Sequence, residues 1–349
     1  MESRPSVLVT RAIFPEVLAR LAQVFVVTSN QADTLLTPCE LVTQLQGKQG
    51  VLCTPAERID ASLLEQCPQL KAVCNIAVGY NNIDVSACMA RGMLVSNTPD
   101  VLTESTADFG LALMFAAARR ITEAEQFLRS GNWSVSHYAM LLGAEIHGSK
   151  LGILGMGRIG TAIAKRAWHG FGMQVLYHNR QRLSESQEKI VAARYVQLEE
   201  LLSQSDHLMI VVPYNKGTHH LIGARQLAQM KGGATLTNIG RGGVVDEIAL
   251  AAALRDGRLA AAGLDVFEDE PRVTPDLLAL SNLVLTPHIA SATRATRLAM
   301  ANLAADNLIA ALTGGEAPTP LKNPHHGART EGPTTLSTAS VTHAYPQSE

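Results

Sequence analysis

The stretch Lys150–Gly160, KLGILGMGRIG, determines which fold this chain is expected to adopt. A short apolar run leads into Gly155, Gly157 and Gly160, which have the spacing G-x-G-x-x-G, and a helical pattern follows. The first glycine permits a tight turn, the second lets a pyrophosphate approach the backbone, and the third lets the helix pack on the strand. Phosphates would then lie at the helix N-terminus, where free N–H groups favour negative charge. The pattern predicts a dinucleotide site, although a plain tight turn between strand and helix also fits three glycines.

Length and composition limit the classes of protein to which the chain can belong. With 349 residues and ordinary apolar content, it can bury a sizeable core and is long enough for two domains. The net charge of -2 provides no general attraction to nucleic acid or to an anionic membrane. No apolar stretch is long enough to span a bilayer, and the first residues do not resemble a secretory signal. The cysteines form no C-x-x-C pair, which favours reduced, largely buried thiols in a cytoplasmic protein.

The N-terminal part of the chain alternates between short β-rich runs and helical patterns. Strands are predicted at Val7–Val9, Phe25–Val27, Val51–Cys53, Val73–Cys74 and Leu94–Val95, with helices at Glu40–Gln46 and Ala61–Gln66. This alternation is typical of a small parallel sheet flanked by helices. A nearly continuous helical pattern from Thr103 to about Arg129 is predicted to lead into a second domain.

The same alternation resumes after the glycine-rich stretch. Further strands are predicted near 151–154, 173–177, 207–212, 234–238, 260–264 and 283–286, with helices at Glu199–Ser203, Ala224–Met230 and Glu247–Asp256. These strands are apolar throughout, as in a parallel sheet that helices cover on both faces. A last helix over about 292–312 is expected to return to the first domain, so we predict an α/β protein in which 1–99 and 289–316 form one domain and 100–288 the other. Residues 317–349, rich in Pro, Ser and Thr, are predicted to be a disordered tail, and no metal site is expected.

Three later segments place chemically active side chains after predicted strands. They are TNIGRGG at 237–243 with Arg241, GLDVFEDEP at 263–271 with Asp265 and Glu270, and TPHIAS at 286–291 with His288. Ligands bind at the carboxyl ends of strands in open α/β sheets. Arg241 can hold a carboxylate through its planar fork, while His288 can donate a proton to a carbonyl oxygen and Glu270 can stabilise the imidazolium. Singly, each segment also fits a turn, a solvated loop or a helix cap; together they predict a site that reduces a 2-oxo acid.

At these residues the chain resembles the D-isomer-specific 2-hydroxyacid dehydrogenase family, from about residue 50 to residue 315, with the motifs in the family's order and spacing. The resemblance implies two Rossmann-like domains, a flavodoxin-like substrate domain and an NAD(P)-binding domain, with a cleft between them and a homodimer formed through the cofactor domain. It implies that Arg241 binds the substrate carboxylate and carbonyl, and that His288 is the acid–base residue with Glu270 as its partner. The backbone N–H groups of Val78 and Gly79 are expected to hold the carboxylate.

The resemblance also implies which residues contact the cofactor. Asp265 would contact the nicotinamide carboxamide, and Thr106 would line the cofactor site. The full set of predicted cofactor contacts is Thr106, Gly155, Gly157, Arg158, Ile159, Gly160, Asn179, Arg180, Arg182, Val212, Pro213, Ile239, Gly240, Arg241, Asp265, His288 and Ser291.

The end of the second Rossmann strand bears on the choice between NAD(H) and NADP(H). An NAD-binding unit ends this strand in an acid that accepts hydrogen bonds from the ribose 2′-OH. Asn179 stands at that position, which removes the repulsion between a carboxylate and a 2′-phosphate, and Arg180 and Arg182 supply positive charge. We therefore predict a preference for NADP(H), with NAD(H) as the alternative cofactor. Two ordinary surface arginines on a loop would also explain the pattern.

Within the family, the pattern is most similar to the glyoxylate/hydroxypyruvate reductase and 2-ketogluconate reductase branch, as in Gly131-Asn-Trp133 and Ala262–Phe267. This similarity implies reduction of small 2-oxo acids to D-2-hydroxy acids. Val135–Gly143 and Asn81 depart from the pattern of the branch, so the substrate is left open. Two alternatives are phosphoglycerate dehydrogenase, for whose regulatory domain the segment after 315 is too short, and a nucleotide-sensing module of the corepressor type.

Overall fold

A computed structural model describes residues 4–322, and two parallel sheets organise them. The first sheet contains β1 (Ser6–Val9), β2 (Val26–Ser29), β3 (Gly50–Cys53), β4 (Ala72–Asn75) and β5 (Leu94–Ser96). Its helices are α1 (Pro15–Val24), α2 (Pro38–Leu45), α3 (Ala61–Gln66) and α4 (Val85–Ala90). The strand order β2-β1-β3-β4-β5 is flavodoxin-like, and every residue of the central strands β3 and β4 is buried, which explains their continuous apolar sequence.

The nearly continuous helical pattern predicted from Thr103 to about Arg129 forms two helices, α5 (Thr103–Ala118) and α6 (Ile121–Arg129). Arg120 adopts a left-handed backbone conformation with φ 55°, and its guanidinium binds Glu123 at 2.7 Å. The carbonyl of Ala118 accepts a hydrogen bond from the N–H of Ala144 at 2.8 Å instead of continuing a helix. A contact with a segment further along the chain therefore breaks the helix, and helical periodicity does not report it.

The second sheet is the Rossmann sheet that the glycine-rich stretch predicted. Its strands are β6 (Lys150–Leu154), β7 (Gln174–His178), β8 (Ala193–Tyr195), β9 (His207–Ile210), β10 (Thr235–Asn238), β11 (Ala261–Leu264) and β12 (Leu283–Leu285). Its helices are α7 (Arg158–Phe171), α8 (Glu185–Ile190), α9 (Leu198–Gln204), α10 (Ala224–Gln229), α11 (Glu247–Arg255) and α12 (Pro275–Leu278). The order β12-β11-β10-β9-β6-β7-β8 has a topological switch point between β6 and β9, where dinucleotides bind. β8 is not among the predicted strands, because an edge strand of three residues is too short to show a period.

A last helix, α13 (Arg294–Thr313), packs on β3 and β4 of the first sheet, although it follows the Rossmann sheet in sequence. Its buried side chains Met300, Ala304 and Leu308 belong to the same hydrophobic cluster as Val7 and Leu52. This packing is the one expected for a helix that returns to the first domain. The boundaries 1–99, 100–288 and 289–316 stay a prediction.

Residues 317–322, predicted to begin a disordered tail, have a defined conformation in the structure. Pro320 pairs with Ser96 in an antiparallel bridge, and the N–H of Leu321 donates to the carbonyl of Val95 at 2.7 Å. We call residues 316–322 the C-terminal strap. The rest of the predicted tail, 323–349, lies outside the described residues. Among residues 4–322, no helix has both the length and the apolar character that a membrane span needs.

Candidate active site

His288 and Glu270 form a hydrogen-bonded pair at the carboxyl ends of neighbouring strands. Glu270 follows β11 and His288 follows β12, and these strands pair in parallel. Nδ1 of His288 lies 2.8 Å from Oε2 of Glu270, and the N–H of Phe267 donates to Oε1 of Glu270 at 3.0 Å. Among residues 4–322, Nε2 of His288 has no hydrogen-bond partner. This nitrogen is therefore available to a substrate.

The surroundings of Glu270 keep its carboxyl group ionised. Desolvation raises the pKa of Glu270, but the hydrogen bond and charge of His288, the N–H of Phe267 and the charge of Arg241 together hold that pKa below its usual value. An ionised carboxylate on Nδ1 favours the imidazolium form of a histidine. The pair is thus arranged to donate a proton from the other ring nitrogen.

Asp265 holds the loop that carries His288. Its carboxylate is fully buried and accepts hydrogen bonds from Oγ1 of Thr286 at 2.8 Å, the N–H of Ile289 at 2.8 Å and the N–H of Ala290 at 2.9 Å. His288 has a left-handed φ of 53°, a conformation that costs a non-glycine residue on the order of 1–2 kcal/mol. Three hydrogen bonds to one carboxylate stabilise this strained turn. Both oxygens of Asp265 are used within the chain, and its expected contact with a nicotinamide carboxamide stays a prediction.

Arg241 brings the loops of the two sheets together. It follows β10, and its Nη1 donates to the carbonyl of Gly240 at 2.7 Å. Its guanidinium lies against Gly79 of the predicted substrate loop, where an added Cβ would be 1.7 Å from Nη2 of Arg241. Burial lowers the pKa of Arg241, and the negative charge of Glu270 opposes this effect. No carboxylate forms a salt bridge with Arg241 in the described part of the chain. Arg241 is half-buried, and a cation that has lost part of its hydration without an ion-pair partner gains from a ligand that supplies the anion.

The glycine-rich turn after β6 has the conformation that its sequence predicts. Gly155 has φ 105°, which residues with a side chain rarely adopt. A Cβ on Gly160 would lie 2.4 Å from the carbonyl oxygen of Gly155, so only glycine lets α7 close onto the turn. Beside Gly157 there is open space, and no side chain caps the start of α7. The N–H groups of Arg158 and Ile159 are therefore available to a phosphate.

Residues that follow the neighbouring strands lie beside the glycine-rich turn. The backbone of Val212 packs between two glycines: a Cβ on Gly155 would lie 2.9 Å from its nitrogen, and a Cβ on Gly240 would lie 2.8 Å from its oxygen. Of the other predicted contacts, Ile239 is buried, Ser291 is half-buried and Pro213 is exposed. The hydroxyl Oγ1 of Thr106 is buried without a hydrogen-bond partner. An unsatisfied buried hydroxyl and an uncapped glycine turn both fit a bound dinucleotide.

The three residues predicted to favour a 2′-phosphate, Asn179, Arg180 and Arg182, have different hydrogen-bond partners in the structure. The side-chain amide of Asn179 is bound to Met156, whose N–H it accepts at 2.7 Å and whose carbonyl it donates to at 3.2 Å. Arg182 forms two hydrogen bonds with Glu188, at 2.8 and 2.7 Å, and this ion pair lowers the pKa of Glu188 to about 2. Arg180 is exposed and has no hydrogen bond or ion pair within residues 4–322. Arg182 is thus engaged by its own domain, and Arg180 is the unengaged cation of the loop.

The His288–Glu270 pair and Arg241 line the same cavity, with a volume of about 600 Å³. Gly79 and Asn81 line it from the first domain, and Tyr214 lines it from the second. Nδ2 of Asn81 donates to the carbonyl of Tyr214 at 2.5 Å, a hydrogen bond that joins the two walls. The cavity therefore lies in the cleft between the sheets, and a ligand in it would touch groups from both.

His219 and His220 have side-chain partners that the sequence analysis did not assign. Nε2 of His220 lies 2.9 Å from an oxygen of Glu268, and Nδ1 of His219 lies 3.1 Å from the hydroxyl of Tyr214. The atoms of His219, His220 and Glu268 that could bind a metal ion lie within 4.8 Å of one another. The hydrogen bonds to Tyr214 and Glu268 already account for the positions of both imidazole rings. No sequence signal could pair His220 with a residue so far along the chain. The expectation of no metal site stays a prediction.

Comparison with known proteins agrees with this geometry. The family model for the NAD binding domain of D-isomer specific 2-hydroxyacid dehydrogenases matches residues 111–290. A glyoxylate reductase of Thermococcus gammatolerans is 44% identical over 324 residues, which cover 92% of this chain and 96% of that protein. The chain belongs to the D-isomer specific 2-hydroxyacid dehydrogenase family.

Two further relatives identify the branch of the family to which the chain belongs. A glyoxylate/hydroxypyruvate reductase B of Erwinia tasmaniensis is 47% identical over 312 residues, which cover 89% of this chain and 97% of that protein. The structure of an NADPH-dependent glyoxylate/hydroxypyruvate reductase of Sinorhizobium meliloti, in complex with NADP and malonate, superposes with a TM-score of 0.82 at 38% identity, over 91% of this chain and 97% of that one. The chain is a member of the glyoxylate/hydroxypyruvate reductase branch, an oxidoreductase that uses a nicotinamide cofactor to reduce a 2-oxo acid.

Proposed function

We propose that this D-2-hydroxyacid dehydrogenase reduces glyoxylate and hydroxypyruvate to the corresponding 2-hydroxy acids, with NADPH as the preferred reductant. The observation that carries the proposal is the single cavity that Arg241 shares with the His288–Glu270 pair. The unpaired guanidinium suits a substrate carboxylate, and the histidine suits a carbonyl oxygen that must gain a proton. A cavity of about 600 Å³ also leaves room for a longer 2-oxo acid, so 2-ketogluconate is a third candidate substrate.

The proposed reaction assigns one task to each group. Arg241 and the N–H groups of Val78 and Gly79 bind the carboxylate and orient the ketone or aldehyde. When bound, the reduced nicotinamide supplies a hydride to the carbonyl carbon. His288 donates a proton from Nε2 to the carbonyl oxygen, and Glu270 stabilises the imidazolium before transfer. One hydride and one proton convert each 2-oxo acid to its 2-hydroxy acid.

The first test is the rate at which the purified protein oxidises NADPH and NADH with glyoxylate, hydroxypyruvate and 2-ketogluconate. We expect rapid turnover with NADPH and the two smaller acids. Binding of NADPH without turnover of any 2-oxo acid would contradict the proposal and support a nucleotide sensor on the same fold.

The preference for NADPH is expected to depend on Arg180. Changing Arg180→Ala should raise the KM for NADPH about tenfold, because an arginine–phosphate contact is lost, and should leave the KM for NADH almost unchanged. Arg182→Ala is the matched control: it breaks the ion pair with Glu188 and should affect both cofactors alike. If Arg182→Ala is the variant that selectively impairs NADPH, Arg182 leaves Glu188 to bind the phosphate and our assignment is wrong.

The pH dependence of the reduction is expected to report the Glu270–His288 pair. The rate should fall as pH rises, since the proton donor is the charged imidazolium. In Glu270→Gln the amide carries no negative charge to stabilise that cation, so kcat/KM should fall more above neutral pH than below it. A glutamine variant that loses activity equally at every pH would show that Glu270 only orients the ring.

We also propose a homodimer, supported by exposed apolar side chains that recur through the segment 121–142. They are Ile121, Leu128, Trp133, Val135, Tyr138 and Leu142. Exposed apolar side chains that form one patch are typical of an interface. Light scattering should give a mass twice that of one chain, and a mass of one chain would contradict the proposal.

A cytoplasmic location is the last part of the proposal. All five cysteines are free, and four of them are buried. Burial raises the pKa of Cys74 to about 12, so its thiol is unreactive at neutral pH. Free thiols in this number are typical of proteins in a reducing compartment.

A further inference from the structure

Three consecutive carbonyl groups of the substrate loop are held by hydrogen-bond donors outside that loop. Ala77 accepts from the N–H of Thr98 at 2.9 Å, Val78 from Nδ2 of Asn97 at 2.8 Å, and Gly79 from Nδ2 of Asn75 at 2.9 Å. Asn75 and Asn97 are both buried, so their amides have little freedom to turn away. All three peptide planes of the loop are therefore fixed.

Fixing these carbonyls also fixes the N–H groups on the other side of each peptide. The peptides are trans, since the only cis bond within residues 4–322 is Glu270–Pro271. In a trans peptide the N–H points opposite to the carbonyl, so the N–H groups of Val78, Gly79 and Tyr80 point away from the donors. None of the three has an acceptor in the described part of the chain. We call these three N–H groups the nest, since successive free N–H groups can bind an anion together. Gly79, one of the three residues, lies against the guanidinium of Arg241.

The C-terminal strap is connected to this nest by a second layer of hydrogen bonds. Oγ1 of Thr319 donates to the carbonyl of Asn97 at 2.7 Å. Nδ2 of Asn307, a fully buried residue of α13, donates to the same Oγ1 at 2.8 Å, and its Oδ1 accepts the N–H of Thr319 at 2.9 Å. Because Asn307 occupies Oγ1 as an acceptor, the hydroxyl proton of Thr319 is directed to Asn97.

These bonds form a continuous chain from the strap to the cleft. The peptide between Asn97 and Thr98 accepts from Thr319 through its carbonyl and donates through its N–H to Ala77. The next peptide, between Ala77 and Val78, then presents the N–H of Val78 to the cleft. Hydrogen bonds in such a chain polarise and strengthen one another.

We propose that Thr319 is a positioning residue for the substrate carboxylate, and that the C-terminal strap is part of the substrate site. Thr319 touches no reacting atom. It orients the Asn97–Thr98 peptide, which in turn orients the N–H of Val78 toward the anion. This inference rests on the proposed function, because it requires a substrate that carries a carboxylate.

The test compares Thr319→Val, which keeps the shape and removes the hydroxyl, with Thr319→Ser, which keeps the hydroxyl. In Thr319→Val we expect the KM for glyoxylate and the inhibition constant of oxalate, a dianion without a reducible carbonyl, to rise roughly tenfold. The KM for NADPH should change less than twofold, because the nucleotide turn is on the other sheet. Thr319→Ser should behave like the unmodified protein. If Thr319→Val does not fold, Thr319→Ala removes the same hydroxyl without adding a methyl group at its position.

The outcomes separate this inference from the proposed function. If the unmodified protein reduces glyoxylate and Thr319→Val has the same oxalate inhibition constant as Thr319→Ser, the inference is wrong and the function stands. If the unmodified protein reduces no 2-oxo acid, but oxalate measured by calorimetry binds roughly tenfold more weakly to Thr319→Val, the function is wrong and the nest stands. Equal losses of NADPH and oxalate binding would show that the strap only supports the fold, which overturns the inference.

Discussion

The variant His288→Gln should lower kcat/KM for glyoxylate by about a thousandfold, because general acid catalysis contributes roughly 10²–10⁴ to a rate. Glutamine has a similar size and can still meet Glu270, but it cannot supply a proton near neutral pH. Steady-state rates with saturating NADPH measure the loss, and fluorescence of bound NADPH measures whether the cofactor site is retained. We expect cofactor affinity to change much less than the rate.

The chain offers a matched control at the rim of the same cavity. His220 is also paired with a glutamate, Glu268, at 2.9 Å, but it does not line the cavity. His220→Gln therefore makes the same chemical change without removing the proton donor, and it should cost less than about fivefold in kcat/KM. Comparable losses in the two variants would refute the assignment of His288 as the acid.

A second large effect is expected at Arg241, in opposite directions for activity and stability. Arg241→Met should raise the KM for glyoxylate at least a hundredfold, because a charge-assisted contact in a desolvated site is lost. The same variant should unfold at a slightly higher temperature, since it removes a half-buried cation that has no salt-bridge partner among residues 4–322. Kinetics and thermal unfolding of the ligand-free protein measure the two effects.

Arg241→Lys separates charge from shape. Lysine keeps the positive charge but not the planar fork, so it should restore only part of the affinity for glyoxylate. Arg241→Lys should not show the rise in unfolding temperature expected for Arg241→Met, because the positive charge is again present. If Arg241→Met lowers both the unfolding temperature and the activity, Arg241 is a structural residue whose loss damages the whole site.

Much of the fold and of the candidate site could be predicted from the sequence, for three physical reasons. Buried parallel strands must be apolar on both faces, which made β3, β4 and the strands of the Rossmann sheet recognisable. A turn that approaches both a phosphate and its own helix tolerates only glycine, which made Gly155 and Gly160 recognisable. Strand ends in parallel sheets lie at one edge, so Arg241, Glu270 and His288 could be assigned to one site before any distance was known.

Tertiary structure decided what depends on contacts between distant segments. The break at Arg120 comes from Ala144 and Leu142, which lie further along the chain. The role inferred for Thr319 exists only because the strap lies on β5, where its hydroxyl meets Asn97. Local sequence determines backbone propensity and the pattern of burial. It does not determine which donor meets which acceptor across a fold, because a hydrogen bond requires a placement within a few tenths of an ångström that only the packed chain provides.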